Sequence, residues 1–355
     1  MKKILIFMAA FIVTFIALTL TACGGNPDGL DVDKDYSQLN EEESANVEND
    51  ASLQIVATIF PEYDWVREIL GDKVNDTGLT LLLDSGVDLH SYQPTAEDIV
   101  KISNCDIFIY VGGESDEWVE DVLKSADNKD MIVINLLESL GGQVKEEELK
   151  EGMQGEEEEE SGEEADDEDD EASEEEPELD EHVWLSLRNA RLLCDEIEKA
   201  IEEKDPGNAD IYRTNVDLYK EKLAALDEKY KETVDNAAAK TLLFGDRFPF
   251  RYMTEDYGLD YYAAFVGCLA ETEASFETIT FLAGKVDELG LKSVFTIEGS
   301  DGKIAETIIN STETKDQKIL VLNSMQSVTA KNVEEGADYL SIMESNLEVL
   351  KEGIR

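Results

Sequence analysis

Histidine is the scarcest chemistry-bearing residue of this chain: two occur in 355 residues, His90 and His182. Any imidazole-based site must use one or both. Positive charge is also short, with 30 Lys and Arg against 83 Asp and Glu and a formal net charge of −53. A surface so acidic repels phosphate backbones, which excludes nucleic-acid binding. Of the four cysteines, Cys23 belongs to a leader discussed below. The other three, Cys105, Cys194 and Cys268, are an odd number, which excludes a full disulfide framework. No Walker loop is present: Gly299–Ile304 has neither its spacing nor its Ser/Thr. There is no Gly-x-Ser-x-Gly elbow and no His-Glu-x-x-His pair. Apolar residues, by contrast, make up 42% of the chain. That is too many for a wholly disordered protein, and the length suits one large or two ordinary domains.

The N-terminus reads as a targeting segment. Lys2 and Lys3 precede an uncharged apolar run, Ile4 to Leu20, and then Leu20-Thr-Ala-Cys23-Gly24. Small residues before a cysteine just after such a run resemble a bacterial lipoprotein signal, residues 1–22, with Cys23 the lipidated first residue of the mature chain. The alternative is an uncleaved membrane anchor, for which the run is slightly short. Residues 23–50, rich in Asn, Asp, Glu, Gly and Ser, read as a flexible tether. Within it, Asp31-Val-Asp33-Lys-Asp35 mimics the start of a calcium loop, but Tyr36 replaces the required glycine.

From residue 51 short β-rich runs alternate with helical patterns, which predicts βαβ units and parallel sheets. Strands are expected at 53–59, 79–83, 106–111 and 131–136, with helices at 61–70, 95–103 and 115–126. Residues 146–181 hold 23 Asp and Glu against Lys150 alone. Such self-repulsion predicts a disordered insertion within an N-terminal lobe, 51–206. It either gathers divalent cations or merely solubilises. Tyr212, Val216, Tyr219, Leu223, Leu226, Tyr230 and Val234 recur at helical spacing, so 207–238 is read as one long helix joining two lobes. A C-terminal lobe, 239–355, follows, with strands at 240–245, 261–266, 292–297 and 318–322 and helices at 249–257, 275–289, 302–311 and 335–352. The fold class is α/β, two parallel-sheet lobes joined by one long rigid helix with a cleft between them. Cys105 and Cys194 read as small buried hydrophobes, and Trp65, Trp118 and Trp184 as packing aromatics.

Both histidines sit at junctions where parallel α/β folds collect ligands, and two imidazoles with carboxylates suit a borderline divalent ion such as zinc. The surrounding residues carry a resemblance. Asp88-Leu-His90-Ser-Tyr92-Gln-Pro94-Thr95 is similar to the Asp-Pro-His-x-Tyr-x-Pro-Thr motif of the zinc/manganese substrate-binding lipoproteins of ABC importers, the ZnuA, AdcA and PsaA cluster. Asp180–Leu185 resembles their second motif, His-x-Trp-Leu. Phe250-Arg-Tyr252 through Tyr257-Gly-Leu259, Glu273-Ala-Ser275 and Gly336-Ala-Asp-Tyr339 through Asn346-Leu347 also fit, in order. The resemblance covers about residues 52–352.

It implies metal in a cleft between two lobes, with His90 and His182 as first and second ligands and Glu298 as fourth. The third slot falls on Arg247, which stays protonated and cannot ligate a cation. Asp246 beside it is the expected third ligand. The rival is a site of His90, His182 and Glu298 completed by water, with Arg247 paired to a carboxylate. Glu271 and Glu273 are further candidates, Glu273 also as the cap of helix 275–289. Asp180 and Glu181 either orient His182 or form the solvated end of the acidic run. Phe248 and Phe250 either shield the metal or pack in the core.

The reading that follows is a monomeric binding protein rather than an enzyme. It captures Zn2+, with Mn2+ the alternative, delivers it to an ABC permease, and sits on the outer face of the cytoplasmic membrane through lipid on Cys23. Closure is expected to be small, and affinity to fall as pH drops through about 6.5. The competing readings are a secreted metal-dependent hydrolase, a manganese-specific protein of the same fold, and a surface adhesin.

Overall fold

The structure is a computed structural model that describes residues 52–155, 178–269 and 273–355. The leader, Cys23, the tether with its calcium-loop mimic, and Glu271 lie outside the described residues.

Two four-stranded, wholly parallel sheets form the molecule. The first contains β1 (Gln54–Ala57), β2 (Gly78–Leu81), β3 (Ile107–Tyr110) and β4 (Ile132–Asn135) in the order β2-β1-β3-β4. The second contains β5 (Thr241–Arg247), β6 (Asp260–Phe265), β7 (Ser293–Ile297) and β8 (Lys318–Leu322) in the matching order β6-β5-β7-β8. In each sheet the first strand has its successor on one side and the third strand on the other. This leaves a crevice beyond the carboxyl ends, where ligands gather in such folds.

Helices cover the sheets. α1 (Phe60–Leu70), α2 (Ala96–Asn104), α3 (Trp118–Ser125), α4 (Leu136–Leu140) and α5 (Leu187–Lys204) belong to the first lobe. Polar side chains start several of them: Thr95 caps α2, Asn135 caps α4 and Ser186 caps α5. The long helix is α6 (Ala209–Asp235), 27 residues and about 40 Å. All seven of its apolar positions named above are buried. They pack it on α1 and α5 on one side and on α7 (Arg251–Tyr257) and α11 (Tyr339–Gly353) on the other. α8 (Phe276–Leu289), α9 (Lys303–Ser311) and α10 (Ala330–Glu334) complete the second lobe.

The expected helix 335–352 thus begins later. Gly336, at φ 94°, follows the end of α10, and Asp338 caps α11 by accepting Ser341 N at 2.8 Å. Ser275, not Glu273, caps α8, accepting Thr278 N at 3.1 Å.

The acidic segment 146–181 needs a correction at both ends. Residues 145–147 pair with 178–180: Glu147 N donates to Glu178 O and Asp180 N to Lys145 O, each at 2.8 Å. Gln154 then adds to the edge of the second sheet, donating to Ala264 O at 2.9 Å and accepting from Val266 N. Gly152 is required there, since a Cβ would come within 2.1 Å of the Phe281 ring. Residues 156–177 lie outside the described residues. The averaged acidity of 146–181 concealed Met153, which packs against the apolar core, and Gln154, whose pairing with the sheet edge holds the flanking stretch to the fold.

One apolar cluster runs through both lobes, from Ile55 on β1 through Leu223 on α6 to Phe244 on β5. Phe248 and Phe250 belong to this core, Phe248 stacked on Tyr261 at 3.6 Å. Trp65 and Trp184 are fully buried, and Trp118 packs on Tyr92 and Phe108. Cys105 and Cys194 are buried as expected.

Candidate metal centre

His90 lies on the short turn Leu89–Ser91 that follows β2. Asp88 holds the turn by accepting His90 N at 3.1 Å. His182 leaves the paired segment 178–180 and enters the turn Val183–Leu185 ahead of α5. Both approach the crevice at the carboxyl edge of the first sheet. Their rings meet with centroids 5.1 Å apart and Nε2 atoms 3.2 Å apart. His182 is fully buried and the His90 side chain is 5% exposed.

The opposite nitrogens are engaged. Asp180 Oδ1 accepts from His182 N at 2.9 Å and faces His182 Nδ1 at 3.0 Å. An ionised carboxylate only accepts, so it assigns the proton to Nδ1 and leaves Nε2 a lone pair. His90 Nδ1 faces Ser115 Oγ at 2.7 Å and Glu181 Oε2 at 3.4 Å; the hydroxyl can accept from a protonated Nδ1 or donate to a bare one, so this ring fits in either tautomer. With His90 also protonated at Nδ1, two lone pairs face each other across 3.2 Å, an arrangement that a shared cation satisfies. Tetrahedral zinc, with Zn–N near 2.05 Å, sets its nitrogens about 3.3 Å apart, so the rings fit it almost without movement.

Asp180 thus lies on His182, while Glu181 turns to the other ring. Its Oε1 accepts Ser115 N at 2.9 Å, and its Oε2 has no hydrogen-bond partner. Burial pushes the Glu181 carboxyl up to about 7, against the bonds from Ser115. Burial, and then His182 beside it, push His90 down to about 3.

The expected third and fourth ligands do not join the histidines. Asp246 accepts its own neighbour Arg247 N at 2.9 Å. Glu298 is held by Ser324 N at 2.6 Å, Ser324 Oγ at 2.8 Å and Gln326 N at 3.1 Å. Burial pushes its carboxyl up. Both line a separate cleft of about 630 Å³ with Asp88, Arg247 and Glu273. Arg247 pairs with Asp88 at 2.6 Å across the two lobes, so it steadies the residue that caps the His90 turn.

Cys268 lies beside the histidines instead. Among the described residues, the one group of three potential ligand atoms lying within 4.8 Å of one another belongs to His90, His182 and Cys268. Cys268 follows β6, and its N–H donates to Glu147 Oε1 at 3.1 Å. Burial, with Glu147, Glu181 and Asp180 around it, pushes the thiol far up. A cavity of about 380 Å³ opens on this group, rimmed by Glu114, Glu117, Glu147 and Glu178. Sequence reading passed over Cys268 because the family pattern directs attention to position 247. The usable signal was a Gly-Cys pair, 267–268, just beyond a strand of the second lobe in a chain whose third slot holds arginine.

A family model described as "Zinc-uptake complex component A periplasmic", ZnuA, matches residues 55–353. The chain belongs to the ZnuA family. Among curated relatives, "High-affinity zinc uptake system protein ZnuA" of Bacillus subtilis is 28% identical over 344 residues, 97% of this chain and 96% of its own. "Zinc-binding protein AdcA" of Streptococcus pyogenes serotype M3 is 26% identical over 357 residues. That match takes in 99% of this chain but 61% of AdcA, so the chain spans about three-fifths of such relatives. The Zn(II)-bound ZnuA-like domain of Streptococcus pneumoniae AdcA superposes with a TM-score of 0.64 at 27% identity, covering 85% of this chain and 99% of that one. The metal-dependent lipoprotein YcdH of Bacillus subtilis gives 0.67 at 26%, covering 86% and 100%. Family membership agrees with the two-lobed fold.

Proposed function

We propose that this protein captures zinc outside the cytoplasmic membrane and delivers it to the permease of an ABC importer. The observation that carries the reading is the pair of Nε2 atoms 3.2 Å apart, each ring held through Nδ1. His90 and His182 ligate the ion. Asp180, Ser115 and Glu181 orient the rings. Zinc-binding relatives and the zinc-uptake family support the choice of metal over manganese. A lipid on Cys23 tethers the chain to the outer membrane face, a reading supported by the signal-like leader and by the lipoprotein relative of Streptococcus pneumoniae. The protein works as a monomer, its two lobes closing over the ion and presenting the closed form to the permease.

Elemental analysis of protein purified without added metal tests the site. Wild type should carry about one zinc per chain, and His90→Ala and His182→Ala should each lose it. Full metal retained in both variants overturns the assignment.

A further inference from the structure

The slot that the family resemblance gives to the third ligand is filled here by Arg247, and its guanidinium is committed to Asp88. A guanidinium only donates, so this corner of the site offers nothing to a cation. The thiol beside the imidazoles does. Three observations show a built site there rather than a stray cysteine. The Cys268 backbone is fixed by its bond to Glu147. Gly267 lets that loop lie against the ligand ring: a Cβ would meet His182 Cε1 and Phe248 O, each at 3.0 Å. Glu181 Oε2, on a side chain 3% exposed, makes no hydrogen bond, stands 3.4 Å from His90 Nδ1 and lines the same cavity as Cys268 and His90.

We propose that Cys268 is the third metal ligand, bound as a thiolate. The inference rests on the reading that His90 and His182 hold the ion. On binding, the S–H bond breaks, its proton passes to solvent, and the sulfur electron pair forms the metal–sulfur bond; no oxidant or reductant is needed. Tetrahedral zinc with one Zn–S and one Zn–N bond places S and N about 3.5 Å apart. The three ligand atoms already lie within 4.8 Å, so a side-chain shift of about 1 Å completes the set. The chemistry also sets specificity. A thiolate with two imidazoles suits zinc and cadmium, whereas manganese prefers carboxylate and water oxygens. The substitution of cysteine for an oxygen or imidazole ligand therefore turns this member of the family away from manganese.

Cobalt(II) reports the ligand directly. The full chain, stripped with a chelator, is loaded with cobalt as wild type and as Cys268→Ser, and zinc and manganese affinities are measured in parallel. The expected result is an intense near-ultraviolet thiolate-to-cobalt charge-transfer band in wild type. Cys268→Ser should bind cobalt through its imidazoles without that band. Its zinc affinity should fall by at least the roughly tenfold that loss of even an outer partner brings, with manganese affinity little changed. Wild type that binds cobalt without the band, or a variant that keeps it, overturns the assignment of Cys268 and leaves the functional reading standing. Wild type that binds neither cobalt nor zinc overturns both.

Discussion

At the scale of single residues, the centre is controlled by which atom carries a proton. Asp180 Oδ1 takes both the backbone N–H and the Nδ1 of His182, so the ring presents one nitrogen to the cleft. Asp180→Ala should lower zinc affinity about 10- to 100-fold while the His90 turn stays intact; competition against a chromophoric chelator measures it, and unchanged affinity would count against the orienting role. The expected loss of affinity near pH 6.5 draws little on His90, because burial, and then His182 beside it, push that ring down to about 3. Both histidines were legible in the sequence because there are only two and each sits within a recognisable motif. Glu181 was legible only in part, expected beside His182 and found against His90. Cys268 was not, since nothing local shows that the loop at Gly267 and Cys268 packs on His182, 85 or more residues earlier in the chain.

At the scale of elements, α1 holds the charge most sensitive to conditions. Glu62 Oε2 accepts Thr58 N at 2.8 Å, Ile59 N at 3.2 Å and Thr58 Oγ1 at 3.1 Å, while Oε1 has no partner. Burial pushes its carboxyl up to about 8. Asp64, which accepts Tyr339 N at 2.8 Å and so ties α1 to α11, is pushed by burial to about 7. A raised acid binds its proton more tightly folded than unfolded. Its contribution is therefore full below the unfolded value and declines as pH rises toward the folded one. Stability should fall from about pH 4, where the unfolded carboxyls begin to ionise, up to about pH 7 for Asp64 and 8 for Glu62, by at most roughly 1.4 kcal/mol per pH unit for each such group. Denaturant melts at constant ionic strength should show this slope in wild type and a shallower one in Glu62→Gln; an equal slope would deny Glu62 the role. Strands and helices were largely readable from apolar periodicity, as with β8 at 318–322 and α6 inside 207–238. The stretch 146–155 was not, because one packed side chain, Met153, and the pairing of Gln154 outweigh an acidic average only once the sheet edge they meet is known.

At the scale of the molecule, the two lobes are stitched as well as hinged. Arg247 reaches Asp88, Tyr252 Oη donates to Asp180 O at 2.8 Å, and Trp184 Nε1 donates to Ser324 O at 2.8 Å. Tyr339 Oη closes the seam on Trp184 O at 2.6 Å. With α6 packed on helices of both lobes and a shared apolar core, this agrees with the modest closure expected from one long connecting helix.

One of these stitches has an optical side. The Trp184 indole is wholly buried and its centroid stands 5.2 Å from that of His182, a proposed ligand ring. An ion arriving on that imidazole changes the electric field at the indole, so this tryptophan should brighten or dim with occupancy while Trp65 and Trp118 hold steady. A zinc titration followed by intrinsic emission should saturate with the site, and Trp184→Phe should lose the signal yet still bind zinc. A change of equal size in that variant would place the reporter elsewhere. The residue that seals the seam between the lobes would then let the protein signal its own loading in light.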